Sequence, residues 1–202
     1  MKSIPLLLLL PFVFTALFAD VAADAADVTV IKAGSEAPNP TLVTIDGTET
    51  SLSELRGTDP TVVVFYRGGW CPYCNTHLAS LQETMPQLKE KGWKLIALSP
   101  DKPEELLKTV EKQKLDYTLV SDSKMVAAEA FGVAFQLQEP MLKMLKSYKI
   151  DVVAASGEEH KQLPIPAVFL IDAEGKITFV FSNPDYKTRL SSSELLKAVS
   201  GM

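Results

Sequence analysis

Short continuous apolar runs alternate along this chain with longer stretches in which apolar residues recur at helical spacing. Residues 62–66 are an unbroken Val-Val-Val-Phe-Tyr run, which predicts a strand covered on both faces. Residues 95–98 and 117–120 predict two more strands. Between the first two runs, Leu78, Leu81, Met85 and Leu88 fall on one helical face. That helix should open near Cys71, where Pro72 suits a first-turn position that needs no N–H, and Pro86 should kink it. Asp101-Lys102-Pro103-Glu104 predicts a second helix running through Lys112, with Asp101 as its acidic cap. Ahead of these, residues 42–45 and 48–51 flank Asp46-Gly47 as a hairpin, and residues 53–56 make a helical turn. Residues 125–131 predict a short helix that Gly132 ends.

From residue 133 to 163 the pattern changes. Met141, Leu142, Leu145 and Tyr148 mark one face of a helix, followed by a polar loop over 156–162, so this stretch reads as an insertion covering the domain. Residues 168–171 and 177–181 then flank a turn at 172–175 as a second hairpin, and Ser191 with Glu194 caps a last helix. The order of elements predicts an α/β fold, a mixed central sheet flanked by helices, with an N-terminal hairpin and a helical insertion.

The first residues follow another logic. Lys2 precedes an apolar stretch over 4–18, and Val21 and Ala23 are small residues suited to a cleavage point, so residues 1–23 read as a secretory signal peptide. The apolar stretch is shorter than the ~20 residues of a membrane span, and Asp20 ends it, so no stable membrane insertion is expected after cleavage. The protein is expected to be exported, periplasmic or secreted. Residues 24–40 are polar and proline-containing, an arm, and residues 41–202 form one domain. The leader holds one Lys and one Asp, so the net charge of -5 is unchanged by its removal. That acidity, and the lack of a dense Lys/Arg cluster, exclude a nucleic-acid partner; Lys108, Lys112 and Lys114 read as a solvated face.

Cys71 and Cys74 are the only two cysteines. They stand two residues apart where a buried strand hands over to a helix through Gly68-Gly69. Cys71 therefore meets the positive end of the helix, which favours a thiolate and can bring a cysteine pKa from about 8.5 into a range of roughly 3.5–7.5. Cys71 is the expected nucleophile, and Cys74, one turn deeper, the resolving thiol. A purely structural disulfide over so short a loop would constrain the unfolded chain little. Structural zinc would need a second ligand pair that the chain lacks, and no metal or other cofactor is expected; His77 reads as a surface or half-buried residue. Asn75 stands where haem attachment would need histidine.

Trp70-Cys71-Pro72-Tyr73-Cys74, with Ile165-Pro166 ahead of a strand, resembles the thioredoxin fold. The resemblance implies that Pro166 is a cis proline facing the cysteine pair and that Ile165 contacts substrate backbone. Gly34-Ser35-Glu36-Ala37-Pro38, the approach from Phe65 to Trp70, Ser121-Asp122 and the segment from Pro184 to Arg189 narrow the likeness. Together they resemble the peroxiredoxin-like branch of the AhpC/TSA family over nearly all of the mature chain. That likeness implies an antioxidant thiol oxidoreductase, a peroxide or disulfide substrate and a thioredoxin-like electron donor. One departure stands out: the family's hydroxyl residue three positions before the reactive cysteine is Gly68 here, and its proline seven positions before is Val64. Arg67 is then the expected hydrogen-bond donor to the thiolate, with Arg189 as a second candidate, and Trp70 as a supporting residue. Tyr186 is expected to pack under the last helix.

Two reactions fit these residues. Cys71 attacks either a disulfide or a peroxide, and both routes end in a Cys71–Cys74 bridge. The alternative is a thioredoxin-like metallochaperone holding Cu(I) on the two cysteines with His160, since soft thiolates select Cu(I); Met141 and Met144 are expected in the core of the inserted helix rather than as ligands.

Overall fold

The computed structural model describes residues 21–201, so the expected leader lies outside the described residues as far as position 20. After a surface arm that holds a 3-10 turn at Ala25–Asp27, a hairpin of β1 (Thr41–Thr44) and β2 (Glu49–Ser51) leads into α1 (Leu52–Arg56) and the central strand β3 (Thr61–Phe65). Next come α2 (Pro72–Glu90), β4 (Lys94–Ser99), α3 (Pro103–Gln113), β5 (Thr118–Ser121) and α4 (Val126–Ala130). The segment expected as an insertion holds β6 (Ala134–Gln136), α5 (Glu139–Ser147), α6 (Val152–Ser156) and β7 (Gln162–Pro164). The hairpin β8 (Ala167–Ile171) and β9 (Ile177–Ser182) and the helix α7 (Ser192–Ser200) close the fold.

Seven strands form one sheet in the order β2-β1-β5-β4-β3-β8-β9. β3 runs parallel to β4 with Val63 opposite Ile96, and antiparallel to β8 with Val63 opposite Phe169. Its position between two partners explains the unbroken apolar run. Val63 and Phe65 point into one core layer, with Phe131 and Phe169, whose ring centroids lie 4.8 Å apart. Val62, Val64 and Tyr66 point into the other, under Leu78, Leu81 and Leu88 of α2 and Leu195 and Val199 of α7. The fold is α/β, a mixed sheet flanked by helices, as the order of sequence patterns predicts.

α2 contains Pro86 and runs on to Glu90. Several local expectations are corrected. α3 is capped by Lys102 without a side-chain hydrogen bond, because the Asp101 carboxylate is turned away to another N–H. α5 ends at Ser147, which swings Tyr148 off the packed face and leaves it 72% exposed. Met144 is exposed as well, while Leu145 reaches the core. The insertion also contains a two-stranded ladder of β6 and β7. Residues 24–40 lie across the surface, where Ile31 N–H donates to Phe131 C=O and Gly34 N–H to Ile177 C=O. Ala22, within the expected leader, pairs with Phe135. Among the described residues no helix is long and apolar enough to cross a membrane.

Candidate active site

The site lies at the carboxyl end of β3, where the chain turns through Gly68-Gly69 into α2. Cys71 is the N-cap residue of that helix; its N–H donates to Gly68 C=O at 3.1 Å, and its own C=O accepts from Asn75 N–H at 3.0 Å. Asn75 also donates through Nδ2 to Gly69 C=O at 2.9 Å. On the other side, Gly69 N–H donates to Asp101 Oδ2 at 2.6 Å. The two glycines are required by space. A Cβ on Gly68 would stand 2.3 Å from Trp70 Nε1 and 2.8 Å from Asp101 Oδ1, and one on Gly69 would stand 2.0 Å from Thr109 Oγ1. Gly68 also holds φ at +144°, where a β-branched side chain is strained. The absent family hydroxyl at position 68 is thus enforced by packing.

Both cysteines are free thiols, 2% and 0% exposed. Their environments push them apart. Cys71 is lowered to about 6, first by hydrogen bonding from the Cys74 side chain and, against the opposing effect of burial, by the Cys74 backbone N–H and the positive charges of Arg67 and Arg189. Cys74 is raised well above the usual thiol value by burial and by Cys71. One sulfur is an anion at neutral pH while its neighbour keeps its proton.

Two guanidinium groups attend the pair. Arg67 is buried, with its Cζ 4.3 Å from the Tyr186 ring centroid and 5.3 Å from that of Trp70, and its Nε and Nη2 have no hydrogen-bond partner among the described residues. Arg189 is held by the carbonyls of Tyr186 and Thr188 and directs Nη2 to Cys74 Sγ at 3.4 Å. Tyr186 lies between Arg67, whose Cζ sits over its ring, and Tyr73, which it meets edge to face with centroids 5.7 Å apart, rather than under α7. A cleft of about 540 Å³ opens onto Cys71, lined by Arg67, Trp70, Tyr73, Tyr148 and Tyr186 among others, with Lys187 and Met144 also on its wall.

The structure brings Arg67, Trp70, Cys71 and Cys74 together, and Ile165 and Pro166 line a neighbouring cavity with Arg67 and Tyr186. The bond between Ile165 and Pro166 is trans, as are all peptide bonds of the described residues. Ile165 N–H donates to Val133 C=O and Pro166 C=O accepts from Asn183 N–H, so the segment links β7 of the small ladder to β8 of the main sheet. Ile165 is buried in the core, and its N–H is already taken. His77 is 6% exposed rather than at the surface, and burial, with Arg189 nearby, lowers it to about 4. Both His160 nitrogens are engaged, Nε2 with Ser123 C=O at 2.7 Å and Nδ1 accepting from Gln162 N–H at 2.9 Å. Asp101 escaped sequence reasoning because Pro103 two residues on makes it look like a helix cap. Asp122 is buried as well and accepts from the N–H groups of Ala127 and Ala128 at the head of α4.

An acidic sulfur at a helix head, beside a protonated partner one turn on and carried by a mixed sheet of this order, defines a thiol oxidoreductase of the thioredoxin fold. Residues 33–180 match the profile of the AhpC/TSA family, and the chain belongs to that family. It is 34% identical over 158 residues to peroxiredoxin Bcp of Escherichia coli K12, covering 78% of this chain and 88% of that one. Similarity extends to the thiol-disulfide oxidoreductase ResA of Bacillus cereus, 29% identical over 152 residues, or 75% of this chain and 70% of the relative. Among solved structures, peroxidoxin BcpB from Mycobacterium tuberculosis superposes with a TM-score of 0.67 at 22% identity, covering 85% and 98% of the two chains.

Proposed function

We propose that the protein is an exported antioxidant thiol peroxidase that cycles Cys71 and Cys74 between dithiol and disulfide. The observation that carries this reading is a sulfur ionised near pH 6 beside a buried Arg67 whose Nε and Nη2 have no acceptor. Such donors suit the charge that develops on oxygen as an O–O bond breaks. They take the part that a hydroxyl at position 68 plays elsewhere in the family.

In this reading the Cys71 thiolate attacks the nearer peroxide oxygen, giving a Cys71 sulfenic acid and an alkoxide or hydroxide that takes a proton from solvent. Cys74 then attacks the oxidised sulfur. Its proton leaves with the hydroxyl as water, and the Cys71–Cys74 bond forms. A thioredoxin-like dithiol partner restores both thiols and is itself oxidised to a disulfide. Supporting export are Lys2, the apolar stretch over 4–18 and the small residues at Val21 and Ala23. N-terminal sequencing of protein recovered from the cell envelope fraction should begin at Asp24; a chain starting at Met1 in the cytosol contradicts export.

A second reading, reduction of protein disulfides, is favoured by the breadth of the cleft and by Tyr73, Met144 and Tyr148 exposed along it. Stopped-flow mixing of the reduced protein with hydrogen peroxide, an organic hydroperoxide and a model protein disulfide separates the two. The peroxides should oxidise it faster, and Cys71→Ser should lose every reaction. Oxidation by the disulfide alone would replace the first reading with the second.

A further inference from the structure

Against the cysteine loop, a buried carboxyl group meets the turn that delivers Cys71. Asp101 follows β4, with its N–H 3.3 Å from Ser99 Oγ, and its Oδ2 accepts the Gly69 N–H at 2.6 Å. Oδ1 is buried without a partner and lies where any side chain on Gly68 would have to go. Gly69 is thereby held at both polar groups, its N–H by Asp101 and its C=O by Asn75, while Thr109 closes on it from α3.

We propose that Asp101 is a positioning residue for the reaction of Cys71: it fixes the Gly68-Gly69 turn that sets the sulfur at the head of α2, and its own charge opposes that of the thiolate. The inference rests on Cys71 being the nucleophile, whichever oxidant it meets. The groups facing Asp101 are Tyr66 from the end of β3, Cys71 from α2, and Glu105 from α3, with Lys108 and Lys112 on the wall of the same small cavity. Burial raises Asp101 to about 7, with Glu105 and Cys71 adding to the shift and the Gly69 and Ser99 hydrogen bonds opposing it. Asp101 and Cys71 titrate as neighbours, and each anion disfavours the other. Ionising Asp101 makes the thiolate more basic, and a more basic thiolate is the better nucleophile toward a neutral reagent.

The test is the pH dependence of Cys71 alkylation by iodoacetamide in the reduced protein, which needs no physiological substrate. The wild-type rate should rise in two steps, near pH 6 and near pH 7. Asp101→Asn keeps an acceptor oxygen for Gly69 and should lose the upper step. Asp101→Ala removes the clamp as well, and its high-pH rate should fall roughly tenfold or more, the scale of a misplaced reacting group. A single step in the wild type, an upper step surviving in Asp101→Asn, or a wild-type plateau in Asp101→Ala overturns the proposal. If Asp101→Ala does not fold, Asp101→Asn decides alone. Loss of peroxide turnover with the two-step profile intact would instead count against the proposed peroxidase activity.

Discussion

Cys71 and Cys74 share a side-chain type and a helix, yet their protons behave oppositely because one sulfur is stabilised by the other. Hydrogen bonding from Cys74 is the largest influence lowering Cys71, ahead of both arginines. Cys74→Ala should therefore move the inflection for Cys71 alkylation from about 6 toward the ordinary value of 9.0, and Cys74→Ser, which keeps a donor, should move it less. Equal shifts in the two variants would assign the low value to the helix end and the arginines instead. The sequence pointed to the helix end, whose Cys74 N–H is one of the influences lowering Cys71. It was silent on the inter-sulfur contribution, which depends on side-chain direction. Arg67 and Arg189 were both legible as candidate donors to the cysteine pair, whereas the aim of Arg189 at Cys74 rather than Cys71, across 115 positions, was not.

Elements were readable wherever one local pattern decided them. The buried run of β3, the Ser191/Glu194 capping box of α7 and the hairpin of β8 and β9 each carry their own signal within a few residues. Errors arose where a local signal competed with a distant partner. Asp101 has the spacing of a helix cap, but the buried N–H of Gly69, 32 positions away, takes its carboxylate. The family likeness implies a cis bond before Pro166, but that bond is trans. The Gly68-Gly69 turn gives a direct test of such distant packing. Gly68→Thr restores the family hydroxyl, yet it should destabilise the protein by roughly 2 kcal/mol or more, through positive φ and overpacking. It should also slow peroxide reduction. An unchanged denaturation midpoint with faster turnover would show that the site has room after all.

Across the whole molecule, three buried titratable groups set the response to mild acid. Asp101 and Asp122 are raised from 3.8 to about 7, chiefly by burial, so the folded state keeps their protons while the unfolded state loses them. The stability they bring is present below pH 3.8 and is lost as pH rises toward 7. His77, lowered from 6.5 to about 4, acts in the opposite sense: its contribution is present above 6.5 and lost as pH falls toward 4. Two groups outweigh one. Stability should fall by on the order of 2 kcal/mol between pH ~4.5 and ~6, at about 1.4 kcal/mol per pH unit for each unbalanced group. Asp122→Asn should flatten that slope; urea unfolding at the two pH values measures it, and a slope unchanged in the variant would remove Asp122 from the balance.

The fold class, the family likeness and the cysteine pair were accessible from residue order because they rest on local patterns that the sheet only assembles. The polar floor beneath the cysteine loop was not, since it joins β3, β4, α2 and α3 through buried side chains. What the molecule does with that assembly is decided most directly by adding one equivalent of hydroperoxide to the fully reduced protein and mapping its thiols by mass spectrometry. The account predicts loss of both thiols and a linked peptide joining Cys71 to Cys74. Two free thiols after the peroxide is consumed, or an over-oxidised Cys71 beside an untouched Cys74, would contradict it.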